Sequence, residues 1–245
     1  MPESQLHAEF PVTCWSLILK AASVPAGEGR EALEKLCRAY WPPLYAYLRR
    51  SGRDPHEAKD LVQGYLARLI ERQDLEAVGP DKGRFRSYLL AGLRNFLISE
   101  VRRENAQKRG GGTEVVSIDA DGAEAGGDLV RTWELTPDQA FDRRWAETIL
   151  YHAIEALRQE YLARGKGALF ETLKPSLSGD AAEDRIAWGR ELGMTPGTVA
   201  VAVYRLRLRL RELVRLEVAQ TVESPAMVDE EMRDLLAILS GPGRT

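Results

Sequence analysis

The sequence predicts an all-α fold. Apolar residues recur at three- and four-residue spacing along most of the chain, which is the period of an amphipathic helix. Many of these segments begin at a proline or end near a glycine, and both residues are typical of helix boundaries. Apart from one arginine-leucine stretch, no segment alternates as a strand does. With 245 residues, 44% of them hydrophobic, the chain can bury a core in one medium domain or two small ones.

Four helices are predicted before residue 110, each with an apolar stripe and a recognisable start or stop. A Pro-Pro pair is expected to interrupt the second helix, because proline cannot donate a backbone hydrogen bond. The predicted ranges are Trp15–Ala22, Glu31–Arg50 with the interruption at Pro42 and Pro43, Pro55–Gln73, and Arg84–Arg109. Together these helices form a first module.

Residues 110–136 are rich in glycine and short polar side chains and have no apolar stripe, so they are predicted to form a linker. The formal net charge of the chain is −3, but acidic residues are concentrated in this linker, whereas arginines flank it. We therefore predict a helical domain at 1–109, an acidic linker at 110–136 and a second helical domain at 137–245. Both domains can present basic surfaces to phosphates despite the acidic average.

The second domain is predicted to hold five helices, several of which begin at proline, the residue favoured at the first helical position. Their predicted ranges are Pro137–Ala163, Ala168–Leu173, Ala181–Leu192, a long helix from about Pro196, and Pro225–Leu239. The last helix has an apolar stripe that fits either internal packing or binding of a regulator, and internal packing is favoured.

The stretch YRLRLRLREL alternates strictly, so a strand would place its arginines on one face and its leucines on the other. A helix explains it as well, because Val199, Val203, Leu206, Leu210 and Leu213 fall on one stripe. The flanks favour the helix, since a Thr-Pro start precedes the stretch and no glycine or proline occurs from residue 198 to residue 224. The long helix exposes a cationic face.

The segment around Gly193 predicts a helix-turn-helix. Gly193 can adopt the left-handed conformation of a turn, and Gly189 lets two helices approach closely. An ordinary helical hairpin is the alternative, but an exposed cationic second helix is what entry into the major groove of DNA requires.

Two segments of the first module carry functional signals. In DLVQGYLARLIE the apolar residues Leu61, Tyr65 and Leu69 point inward, which leaves Asp60 and Gln63 exposed. Residues 82–109 interleave aromatic and arginine side chains, a composition that can stack on unpaired bases and neutralise phosphates. In this segment Phe96 is predicted to lie in the core and Tyr88 to be the stacking side chain.

The two cysteines and three histidines are scattered, without metal-ligand spacing and without a nucleophile beside a base. We therefore predict no metal site, no cofactor, no catalytic residue and no enzymatic activity. The N-terminus lacks the pattern of a signal peptide, and no apolar run is long enough to span a bilayer. A cytoplasmic protein without membrane insertion is expected.

The order of these parts resembles the extracytoplasmic-function (ECF) group of bacterial RNA polymerase sigma factors of the sigma-70 type. The resemblance runs from about residue 10 to residue 239 and rests on the ordered combination of motifs. Those motifs are DLVQ, GRFRSYLLAGLRNFL with basic residues after it, an acidic linker, and LGMTPGTVAVAVYRLRLRLREL. TCWSLIL near the N-terminus and the tail after residue 217 are similar to a branch with a short C-terminal extension.

The resemblance implies a sigma region 2-like domain that binds the β′ coiled coil of core RNA polymerase and opens the minus-ten promoter element. It also implies a region 4-like domain that meets the β flap and reads the minus-thirty-five element, with an anti-sigma regulator as a further partner. The positions matching polymerase-binding residues are Asp60, Leu61 and Gln63. Those matching minus-ten contacts are Arg84, Phe85, Arg86, Tyr88, Asn95, Arg102 and Arg103. Those matching minus-thirty-five contacts are Thr195, Pro196, Thr198, Val199, Ala202, Arg205, Arg207 and Arg211.

The recognition helix departs from the family pattern, since Ala200 and Ala202 occupy positions that are often cationic or polar. Direct readout of bases is therefore expected to be weak, and contacts to phosphates are expected to dominate. The alternative function is a stand-alone helix-turn-helix transcriptional regulator whose first module senses a signal or dimerises. Copurification with core polymerase separates the two hypotheses.

Overall fold

A computed structural model describes residues 28–71, 84–109, 135–178, 184–222 and 224–241. These residues form helices joined by turns, with no strand among them, which confirms the all-α prediction. The helix predicted at Trp15–Ala22 lies outside the described residues, and so do residues 110–134 of the linker predicted at 110–136.

The predicted helix bounds agree with the structure to within a few residues. Of the helix predicted at Ala181–Leu192, the part before residue 184 lies outside the described residues. The α-helices are α1 (Glu28–Arg50), α2 (Pro55–Glu71), α3 (Phe85–Arg109), α4 (Pro137–Ala163), α5 (Gly167–Leu173), α6 (Arg185–Leu192), α7 (Pro196–Ala219) and α8 (Pro225–Ser240), with a 3₁₀ turn at Lys174–Leu177 after α5.

The prediction that Pro42 and Pro43 interrupt the first helix is wrong, because α1 continues through both. Two backbone donors are lost there. Tyr40 and Leu44, which flank the pair, are almost completely buried. Burial of these side chains outweighs the missing hydrogen bonds, an example of tertiary packing overriding local propensity.

The described residues divide into two compact units, one formed by 28–148 with 219–241 and the other by 149–218. The divisions fall inside α4 and α7, so the predicted domain start at residue 137 does not coincide with them. Helix α8 belongs to the first unit, where Val228 and Leu235 are 3% and 2% exposed. The favoured alternative for the C-terminal helix, internal packing, is thus confirmed.

The first unit has a core of α1, α2 and α3 side chains, among them Leu48, Val62 and Leu89. Helices α2 and α3 meet closely at Gly92, where an added Cβ would collide with the Tyr65 hydroxyl. That hydroxyl donates a 2.9 Å hydrogen bond to the Leu89 carbonyl. The contact fixes the position of α3 against α2.

The second unit packs the C-terminal part of α4, α5, the 3₁₀ turn, α6 and α7 around an apolar core. The predicted stripe of α7 lies in it: Val199, Val203 and Leu206 are at most 3% exposed. Val201 and Leu208, on the opposite side, are 50% and 45% exposed. The arginine-leucine stretch is therefore a helix with one buried face, as predicted.

Stability of the second unit is expected to depend on the protonation of Glu217. Burial raises the pKa of this α7 carboxyl, and the nearby charge of His152, with Nδ1 4.0 Å from the carboxylate, offsets only part of that effect. The folded state therefore holds the proton to a higher pH than the unfolded state, whose glutamate pKa is about 4.3. The free energy of unfolding should fall as pH rises from that value through the raised one.

Glu217→Gln removes this ionisation, so the variant should gain stability relative to the wild type between about pH 4.5 and pH 7. Urea unfolding at both pH values measures the difference. Glu212→Gln, at an exposed position of the same helix, serves as the control. If the difference in the free energy of unfolding between Glu217→Gln and the wild type is the same at both pH values, the ionisation of Glu217 does not control the stability of the unit.

Candidate polymerase and nucleic-acid interfaces

The exposed face of α2 carries the residues predicted to bind polymerase. Asp54 caps the helix by accepting from the amides of His56 and Glu57 at 2.8 and 2.9 Å. Asp60 and Gln63 are exposed, as the amphipathic pattern predicted, whereas Leu61 is half-buried and does not reach the core.

A cleft of about 900 Å³ lies between α2 and α3. Asp60 and Leu61 line it from α2, and Glu100 and Arg103 line it from α3. Gly64 widens the cleft, since a Cβ there would already touch the Phe96 ring at 3.4 Å. The structure thus brings Asp60, predicted to bind polymerase, and Arg103, predicted to bind DNA, to one groove. Phe96 is 8% exposed, which confirms its predicted place in the core.

The solvent-facing side of α3 presents both polar and apolar groups. Asn95, Arg102 and Arg103, which were predicted to contact DNA, are exposed. Beside them, Ile98 and Val101 are 51% and 43% exposed, and sequence reasoning missed both. Their spacing is the signal that could have found them: Ile98 lies three residues after Asn95 and four before Arg102, and Val101 lies three residues after Ile98. Residues three and four apart share a helix face.

The start of α3 corrects two predicted DNA contacts. Phe85 is fully buried, with its ring edge-on to Tyr40 at 5.1 Å between centroids. Arg86 is 6% exposed, and its guanidinium lies 4.6 Å from the centre of the Trp145 ring. Both are core residues here: Phe85 packs against α1, and Arg86 is covered by side chains of α4 and α8. Tyr88 is half-buried, with its ring 6.2 Å from that of Phe85.

Acidic side chains of α8 surround Arg84 and Arg86. Arg84 lies 2.8 Å from Glu230 and 2.9 Å from Glu231, and it also pairs with Asp234. Arg86 Nε donates to Glu231 Oε1 at 2.7 Å. Burial alone would lower the pKa of Arg86, but hydrogen bonds and charges from Glu231 and Asp142 raise it. Arg86 is therefore held as a cation inside the unit.

In the second unit, α6 and α7 form the predicted helix-turn-helix. Gly193 ends α6 in the left-handed conformation at φ 63°. Gly189 lies against the turn, so a Cβ on it would be 2.7 Å from the Met194 carbonyl oxygen. The Thr195 hydroxyl accepts from the Thr198 amide at 3.2 Å and caps α7. The glycine and Thr-Pro signals have the structural roles that the sequence predicted.

The exposed surface of α7 includes most of the predicted minus-thirty-five residues. Thr195, Pro196, Thr198, Arg205 and Arg211 are exposed, and Ala202 is half-buried. Tyr204, which sequence reasoning missed, is 67% exposed on the same helix.

Two residues of α7 differ from their predicted roles. Val199 is fully buried because it heads the apolar stripe of the helix. Arg207 donates two hydrogen bonds, at 3.0 and 2.6 Å, to the Ser176 carbonyl of the 3₁₀ turn. Neighbouring Arg209 pairs with Glu160 of α4 at 2.6 Å. These two arginines tie α7 to other elements of the unit. Arg205 and Arg211 are among the exposed cations of the helix.

The α1–α3 arrangement, with its cleft and its aromatic-basic third helix, coincides with a known domain. Residues 36–107 match the family model of sigma-70 region 2. The sigma-70 region 2 match supports the prediction of a sigma-70-type factor with roles in transcription initiation, RNA polymerase binding and DNA binding. No curated protein and no solved structure matches the chain.

Along the described ranges, no helix combines the length and apolar character needed to cross a membrane. Within the same ranges, no group of three histidine, cysteine, aspartate or glutamate side chains could hold a metal ion.

Proposed function

We propose that this protein is an ECF-type sigma factor with a C-terminal helical extension, which directs core RNA polymerase to promoters and opens them. The observation that carries the proposal is the match of residues 36–107 to sigma-70 region 2. The helix-turn-helix in the second unit supports it, because a sigma factor needs a second element that reads duplex DNA. A stand-alone regulator would need no region 2, so the match favours the sigma factor.

In this proposal the α2 face and the cleft bind the β′ coiled coil of polymerase. The support is an exposed polar face beside the cleft between α2 and α3, with half-buried Leu61 between the two polar residues. The residues proposed to make these contacts are Asp60, Leu61 and Gln63.

The exposed side of α3 is proposed to hold the opened minus-ten strand. Stacking and phosphate contacts offset the few kcal/mol that unstacking a base costs, so the step needs no catalytic residue. Because Phe85 and Arg86 are buried, the proposed contacts are Arg84, Tyr88, Asn95, Arg102 and Arg103. The protein is accordingly proposed to act by binding, in the cytoplasm, without a cofactor.

The second unit is proposed to bind the minus-thirty-five element and the β flap. An α-helix fits the major groove, and the exposed start of α7 offers hydroxyls while its later part offers cations. The proposed contacts are Thr195, Pro196, Thr198, Ala202, Arg205 and Arg211. An anti-sigma protein is proposed as a regulator on the resemblance alone.

In vitro transcription with core polymerase on a pool of genomic DNA tests the proposal. The protein should produce transcripts whose starts share upstream elements, and Tyr88→Ala should lose activity on duplex templates but regain it on templates mismatched at the minus-ten element. Sequence-specific DNA binding without any stimulation of core polymerase would favour the stand-alone regulator.

Replacing both Asp60 and Gln63 with alanine should weaken binding to core polymerase by about tenfold or more, because an interface loses two polar partners. Both side chains are exposed, so folding should persist, as circular dichroism can verify. A matched control is Glu155→Ala with Gln159→Ala, an acid-amide pair on α4 joined by a 2.6 Å hydrogen bond. Equal affinities for the two double variants in a titration would remove the α2 assignment.

Arg205→Ala should lower the affinity of holoenzyme for promoter DNA by a similar factor on matched and altered minus-thirty-five sequences. The reason is that a phosphate contact carries no sequence information. Its loss should also reduce by about one the slope of the logarithm of the binding constant against the logarithm of the salt concentration. Arg143→Ala, which removes a half-exposed arginine from α4, is the control for net charge. A change in preference at a single base pair, with the salt slope unaltered, would identify Arg205 as a base reader instead.

A further inference from the structure

Helix α8 presents two different surfaces to the first unit. Its apolar stripe, with Val228 and Leu235, is buried in the unit. Next to that stripe, Glu230, Glu231 and Asp234 lie on adjoining positions of the helix and meet the guanidinium groups of Arg84 and Arg86. Three carboxylates from one short helix therefore neutralise the basic beginning of α3.

The two arginines are held differently. Arg86 and Glu231 are 6% and 1% exposed, so their pair is sealed inside the unit. Arg84 lies nearer the surface, with 23% of its side chain exposed, and two of its partners, Glu230 and Asp234, are 56% and 38% exposed. Exposed ion pairs contribute little stability and are screened by salt, so the outer pairs can exchange while the inner pair keeps α8 in place.

The carboxylates around Arg84 pair with the same guanidinium that a phosphate of a nucleic acid would bind. A guanidinium donates charge-assisted hydrogen bonds to a carboxylate or to a phosphate in the same forked geometry. Arg84 belongs to the set that the proposed function assigns to the opened strand, and among the residues that the structure describes α8 supplies three acidic partners for it. A phosphate can bind Arg84 only after Glu230 and Asp234 have released it.

We infer that α8 is an internal competitor of single-stranded DNA, whose outer carboxylates occupy the phosphate site at Arg84 and weaken strand binding by the free protein. The inference rests on the proposed function of α3. It deepens that function, because binding of the strand then requires Glu230 and Asp234 to release Arg84, while the buried pair of Glu231 with Arg86 keeps α8 on the unit.

The test compares full-length proteins by fluorescence anisotropy with a labelled single-stranded DNA oligonucleotide of mixed sequence. Glu230→Gln with Asp234→Asn should raise affinity by about tenfold at low salt and steepen the salt dependence by about 0.7, the value for one additional phosphate contact on a single strand. Glu155→Gln with Glu171→Gln removes the same charge from the second unit and should leave both quantities near wild type. Adding Arg84→Ala to the α8 double variant should abolish the gain.

Equal affinities in the two double variants, including no measurable binding by either, would overturn the inference. So would a gain that survives Arg84→Ala, because it would reflect net charge alone. Transcription by the wild-type protein with core polymerase is a separate readout. If that activity is present while the oligonucleotide results are negative, the role of α8 fails and the proposed function stands.

Discussion

Replacing Gly189 with alanine is expected to disrupt the helix-turn-helix, with a loss of about 3 kcal/mol, the upper end for an overpacked site. The new Cβ would be 2.7 Å from the Met194 carbonyl oxygen and 3.8 Å from the Pro196 nitrogen. Both are backbone atoms, and the Met194 amide already donates to the Gly189 carbonyl at 2.8 Å, so the turn cannot withdraw without breaking its own hydrogen bond. Amide hydrogen exchange over residues 185–219 measures the loss locally.

Two other glycines of the motif provide matched controls. Gly193→Ala should cost about 1 kcal/mol, because an alanine at φ 63° is strained although no atom lies within 4 Å of its Cβ. Gly197→Ala should be neutral or slightly stabilising, since it lies in α7 with its nearest neighbour at 3.9 Å. The explanation fails if the amides of residues 185–219 are protected from exchange as strongly in the Gly189→Ala variant as in the Gly197→Ala variant.

Replacing Arg86 with methionine is expected to destabilise the first unit by about 3 kcal/mol, the lower end for breaking a buried ion pair. Glu231, 1% exposed, would keep Arg84 but lose Arg86 as a cationic partner, and the contact of the guanidinium with the Trp145 ring would be lost. Urea unfolding followed by circular dichroism measures the effect. Arg143→Met, which breaks a half-exposed pair with Glu147, should cost less than about 1 kcal/mol.

A double variant separates the ion pair from simple loss of packing. Arg86→Met together with Glu231→Leu removes both members of the buried pair, so it should regain much of the stability lost in Arg86→Met. Asp142 and Asp234, which also pair with Arg86, are partly exposed, so its loss leaves them in contact with water. If the two substitutions are instead additive, with the double variant less stable than either single one, the buried pair is not the origin of the effect.

Local chemistry determined the elements of this protein, and packing between elements decided which side chains are available. The start of α4 was readable from Pro137, the residue type favoured at the first helical position, and the structure adds a reciprocal cap there, in which the Thr136 amide donates to Gln139 Oε1 at 2.9 Å. The exposure of Asp60 and Gln63 was readable for a similar reason, since helical period alone separates the two faces of α2. The turn at Gly193 followed from the conformations open to glycine.

The partners and the burial of the arginines could not be predicted from helical period or local signals. Arg84, Arg86 and Arg207 look like solvated cations in the sequence, yet their partners lie far along the chain, at Glu231 for the first two and at Ser176 for the third. The same holds for α8, whose place in the first unit depends on carboxylates that meet their cations only after folding. The sequence by itself determined the helices, their faces and the turn, because these depend on residues a few positions apart. Only the tertiary structure decided which charges are buried, since burial and pairing depend on elements that the chain brings together from a distance.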